Sequence, residues 1–144
     1  MKTSSAFLAL SASAAALVTG CGGGGQAGVR IYDPSGRVKA VVSGGDFVRS
    51  SARALKVGGS WSVNVSLTTK GRGHLLALTS ALARRGRRLR HPQHMAIAVN
   101  GHVEETPYVD YRNMPRGFDG RGGVELAVLS QADAKRFAKA LRSQ

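Results

Sequence analysis

The chain has 144 residues and a formal net charge of +13, from 21 Lys and Arg against 8 Asp and Glu. A single cysteine rules out a disulfide scaffold and any cysteine cluster for zinc or iron–sulfur chemistry. Aromatic residues make up only 6% of the chain, so its core must come chiefly from Val, Leu, Ile and Ala.

Met1 and Lys2 give a positive start, Ala6 to Val18 is a small and apolar run, and Val18-Thr19-Gly20-Cys21 closes it. That run of 13 residues falls short of the roughly 20 that a membrane-crossing helix needs. The segment resembles a bacterial lipoprotein signal ending in a lipobox. That resemblance implies a cleaved signal peptide over 1–20 and lipid attachment at Cys21, with the protein anchored to the extracytoplasmic face of the cell membrane. The alternative is an ordinary secretory signal that leaves Cys21 as a free thiol. Residues 21–28, rich in Gly, read as a flexible tether, and 29–144 as one domain.

Within that domain, Val29–Asp33 and Val38–Val42 predict a small β-hairpin about Pro34-Ser35-Gly36. Asp46 is placed to cap a short helix over Phe47–Leu55. Trp61 to Leu67 alternates apolar and polar residues without a break and predicts a strand. Thr69 is the expected N-cap of a helix from Lys70 to Arg85, on which Leu75, Leu78 and Leu82 recur at helical spacing and Gly71 and Gly73 weaken the first turn. The arginines beyond it, up to Pro92, read as a charged, mobile loop. Asn100-Gly101 between two β-like runs, His94–Val99 and His102–Glu105, is a hairpin signal. A loop over Tyr111–Gly123 precedes a last strand, Val124–Leu129. Ser130 then caps a final helix with Ala134, Phe137, Ala138 and Leu141 as its apolar stripe. The order β-α-β-β-β-α after an initial hairpin predicts an α+β fold, a mostly antiparallel sheet with two amphipathic helices side by side on one face.

The chain shows no nucleophile elbow, P-loop or dinucleotide fingerprint. His91, His94 and His102 read as surface histidines rather than metal ligands, because arginines surround them and no carboxylate lies near before Glu104. Adjacent strand positions send Glu104 and Glu105 to opposite faces, so they do not form an acid–base pair. Trp61 and Phe137 read as core. The expectation is a protein without enzymatic activity, cofactor or metal.

No Asp or Glu occurs between Phe47 and Val103, while ten Lys and Arg fall inside that stretch. Arg84, Arg85, Arg87, Arg88 and Arg90 are therefore candidates for binding an anionic surface. They also suit a helix end, whose dipole favours cations.

From about Val42 to Ser143 the chain resembles the head of the first periplasmic domain of SecD and SecDF, membrane subunits that assist bacterial protein export. The residues that carry the resemblance are Gly45-Asp46 with Ala52, Trp61-Ser62-Val63, Leu78-Thr79, Ala96 to Val103 with Pro107, and Val124-Glu125-Leu126. They continue through Leu129-Ser130-Gln131-Ala132-Asp133-Ala134, Ala138 and Leu141-Arg142-Ser143. Asn100 stands where that family usually has Asp, Ala127 and Leu129 where it often has Gly and Phe, and Gln144 where it ends on Gly. No membrane helix follows the signal, so only the head's role, contact with a polypeptide outside the membrane, transfers. The resemblance implies binding of exported polypeptide, an envelope protein or a translocase component. The alternative is a basic adaptor for anionic lipid or cell-wall polymer; nucleic acid is not the expected partner.

Overall fold

The computed structural model describes residues 28–144; the expected signal peptide, Cys21 and tether residues 21–27 lie outside them. The strands are β1 (Val29–Tyr32), β2 (Val42–Ser43), β3 (Arg53–Val57), β4 (Ser60–Val65), β5 (Gln93–His94), β6 (Ala96–Val99), β7 (His102–Glu105), β8 (Tyr108–Val109) and β9 (Val124–Val128). Helix α1 spans Thr69–Leu89 and α2 spans Gln131–Arg142. Every strand pair is antiparallel, giving sheets of order β2-β1-β6-β7, β3-β4-β9 and β5-β8. The α+β class is as expected. No helix among the described residues is long and apolar enough to cross a membrane.

The fold is strongest where local signals and distant pairing agree. Asn100 and Gly101 both take positive φ, 49° and 85°, and join β6 to β7. Asn100 also binds the start of the domain: Gly28 N donates to its Oδ1 and its own N donates to Gly28 O, each at 2.8 Å. Ser130 caps α2, accepting from Asp133 N at 3.1 Å, and Ala134, Phe137, Ala138 and Leu141 are buried. The two helices make their main contacts with different strands, α1 with β2, β5 and β8, and α2 with β1, β3, β4 and β9. Their apolar faces meet the strands in one core, with Ile31, Val63, Leu78, Leu82 and Phe137 almost wholly removed from water.

Three expectations are corrected. Val38–Val41 forms no strand; only Val42–Ser43 pairs with β1, whose longer partner is β6. Asp33 organises the intervening turn by accepting from Ser35 N and Val38 N, both at 2.9 Å, and from Ser35 Oγ. The segment Phe47–Leu55 is not a helix. It holds a 3-10 turn at Arg49–Ser51, a bridge from Phe47 to Leu67 and the first half of β3, because pairing with the Trp61 strand outweighs the weak helical spacing of Phe47, Ser51 and Leu55. Finally, α1 starts one residue early, with Thr68 as N-cap, and runs through the supposed loop to Leu89. Gly86 lies within it, and the glycine leaves room for His91 O, which would be 2.9 Å from a Cβ there.

Candidate binding surfaces

Two surfaces stand out. The first is the small sheet. β4 is central, β3 and β9 are its edges, and no strand among the described residues pairs with the outer side of β3. The register aligns Ala54, Val63 and Leu126 in one row and Leu55, Ser62 and Ala127 in the next. Because side chains alternate along a strand, these rows lie on opposite faces. Val63 and Leu126 are buried in the core on the face that α2 covers. On the other face Leu55 and Val57 remain 43% and 49% exposed, and Leu129, just past β9, is 88% exposed. Among them the buried Oγ of Ser62 has no hydrogen-bond partner in the described residues. An edge with open backbone groups and exposed apolar side chains is a template for an extended chain. Sequence reasoning missed this edge because it placed Leu55 at the end of a helix and gave Val57 no element.

The second surface is the C-terminal half of α1. Arg84, Arg85, Arg87 and Arg88 all lie on the helix, and Arg90, at φ 59°, is its left-handed C-cap. These side chains are therefore presented by a rigid element, not by a loop, and they have different tasks. Arg85 is mostly buried: its Nη1 donates to Ser35 Oγ at 2.8 Å and lies 3.5 Å from Asp33 Oδ2, while its Nε has no partner. Arg87 donates to Pro115 O at 3.1 Å, tying the loop after β8 to the helix. Arg84 and Arg88 are exposed, four residues apart on one helix face, and with Ala81 and Arg85 they line an open groove of about 410 Å³.

Asp33 is the partner that sequence reasoning did not find for this cluster. Burial pushes its carboxyl up, but the hydrogen bonds from Val38 and Ser35, with the charge of Arg85, outweigh that and hold it below the ordinary carboxylate range. Asp-Pro-Ser-Gly was a readable turn signal; its contact with a helix 50 residues later was not.

The other singled-out residues lie apart from one another. The Nδ1 atoms of His91 and His94 sit near the carbonyls of Pro92 and Thr106, His94 packs on the Tyr108 ring, and His102 opens β7. No group of three or more His, Cys, Asp or Glu among the described residues is placed to hold a metal ion. Glu104 accepts from Arg136 at 3.0 Å, and Arg136 also donates to Asp133. Glu105 has no ion-pair partner among the described residues; burial first, and the neighbouring Glu104 charge second, raise its pKa to about 7. Phe137 is core, while Trp61 is half-buried against it.

No protein family model matches the chain. No curated protein matches it either. Among solved structures the chain is similar to SecDF, a membrane component that enhances protein export, with a TM-score of 0.56 and 18% identity. The similarity covers 83% of this chain and 64% of that one, so the chain spans less than two thirds of its structural neighbour. The fold that the resemblance implied is thus the fold the chain has, a SecDF-like α+β domain.

Proposed function

We propose that this protein is a non-enzymatic, extracytoplasmic module, held to the membrane through a lipid on Cys21, that binds exported polypeptide or a translocase component. The observation that carries the reading is the SecDF-like fold over 83% of the chain, in a protein whose first 21 residues read as a lipoprotein signal. SecDF itself enhances protein export, so a related head on a tether suits a part in the same process.

In this reading β3 is the docking edge. An incoming strand adds to its open backbone groups, and Leu55 and Val57 offer apolar contacts for alternate side chains of the guest. Binding is tested with purified protein and an unfolded exported polypeptide. Replacing Leu55 and Val57 together by Glu leaves the fold intact, since both are exposed, and places repelling charge on the edge. Loss of polypeptide binding in the double variant is the expected result; unchanged binding overturns β3 as the docking edge.

A further inference from the structure

We propose that the outer face of α1 near its C-terminus is a seat for the phosphoryl groups of an anionic lipid surface. Arg84 and Arg88 are the contacting guanidinia, and Arg85 is a positioning residue.

The first argument is charge that the fold leaves unanswered. The chain has eight acidic residues; among the described residues Asp33, Asp119, Glu104 and Asp133 pair with arginines, and Asp46 lies against His74. None of the eight approaches Arg84 or Arg88 within ion-pair distance. Like charges four residues apart on one helix face repel each other. The helix dipole compensates within the last turn, which Arg87 and Arg88 occupy, and Arg84 lies behind it. Two exposed guanidinia line one groove with Ala81 and Arg85, and an oxyanion seated there would satisfy both.

The second argument is how that pair is held. Arg85 is anchored through Nη1 to Ser35 and Asp33, which fixes the turn that holds them against the helix. Arg87 fixes the opposite loop through Pro115. The patch therefore lies on a helix end that two segments brace.

Openness decides the source of the anion. A free small anion requires enclosure to be held, and this groove is open, whereas a headgroup arrives already fixed to a surface. Leu89, 43% exposed between Arg88 and Arg90, adds the apolar contact that interfacial binding combines with cations. Among the described residues no aromatic ring is paired with Arg84 or Arg88 as a stacking platform for bases.

The test measures binding of the full chain to vesicles containing phosphatidylglycerol and to vesicles of phosphatidylcholine alone. An N-terminal lipid binds both kinds, so the ratio of the two affinities reads the patch alone. With about fivefold expected per basic residue at an anionic surface, R84Q/R88Q lowers that ratio about 25-fold and leaves phosphatidylcholine binding unchanged. K135Q/K139Q removes the same charge from exposed sites on α2 and is expected to leave the ratio near the parent's. An equal loss in both variants, an unchanged ratio in R84Q/R88Q, or release by inorganic phosphate or an oligonucleotide beyond that caused by sodium chloride at matched ionic strength each overturns the proposal. None of these outcomes bears on polypeptide binding at β3, which has its own variant.

Discussion

Two glycines in the first turns of α1 should respond to alanine with opposite signs. Helix propensity treats Gly71 and Gly73 alike and predicts a gain of roughly 1 kcal/mol from either change. The packing around them differs. A Cβ at Gly73 meets nothing within 4 Å, so Gly73→Ala should stabilise by about 1 kcal/mol. At Gly71 a Cβ collides with the carbonyl oxygen of Asp46 and comes within 2.8 Å of its Cβ and 2.9 Å of its carbonyl carbon. That backbone cannot retreat freely, because Thr68 N donates to Asp46 O at 2.9 Å and Ser43 N donates to Asp46 Oδ2 at 3.0 Å. Overpacking costs roughly 1–3 kcal/mol, with a clash against backbone at the upper end, which exceeds the propensity gain and leaves Gly71→Ala destabilised by up to about 2 kcal/mol. In thermal unfolding at neutral pH, with roughly 3–6 °C per kcal/mol for a domain of this size, Gly73→Ala should melt above the parent and Gly71→Ala clearly below it. If both variants melt above the parent, α1 does not seat on the Asp46 turn and the reasoning is refuted.

Further predictions concern the titrating and tying residues. Glu105, with its folded pKa raised from 4.5 to about 7, binds a proton more tightly folded than unfolded, so its contribution should fall as pH rises between those values and then level off. The difference amounts to roughly 3 kcal/mol at most, and Glu105→Gln should raise the urea midpoint near pH 8 while leaving it unchanged near pH 4. Asp33 has the opposite sign: its depressed pKa stabilises above the ordinary carboxylate range and is lost as pH falls through the folded value, so Asp33→Asn should flatten the acid limb of stability. Arg85→Gln should cost about 1–2 kcal/mol in denaturant melts, less than a bare buried charge would, because Asp33 keeps its bonds from Ser35 and Val38. Gln144 Oε1 accepts from Val29 N and Gly44 N, so Gln144→Ala should destabilise by roughly 1–2 kcal/mol and speed amide exchange at those two positions first.

What could be read from the sequence was local. The alternation of β4, the Asn100-Gly101 turn and the cap and stripe of α2 each carry their signal within a dozen residues, and each formed as expected. What could not be read depended on distant partners. β3 looks helical until the Trp61 strand is laid beside it, and β1 looks like half of a hairpin until β6 takes its other edge. The arginine run shows the same division for the site. Its charge was plain in the sequence, but the run read as a mobile loop beyond the helix, and only the packed structure separates anchored Arg85 and Arg87 from Arg84 and Arg88 in the groove. Gly71 read as a weakness of α1 and is instead the point where Asp46 comes closest to it.

Photocrosslinking in living cells, from a crosslinker placed at Leu55 on the open side of β3, tests the central claim most directly. The account predicts that exported polypeptides or a translocase component are captured there, and that a crosslinker on the solvent face of α2 at Lys135 captures neither. Recovery of no such partner from Leu55, or an equal yield from both positions, would contradict it.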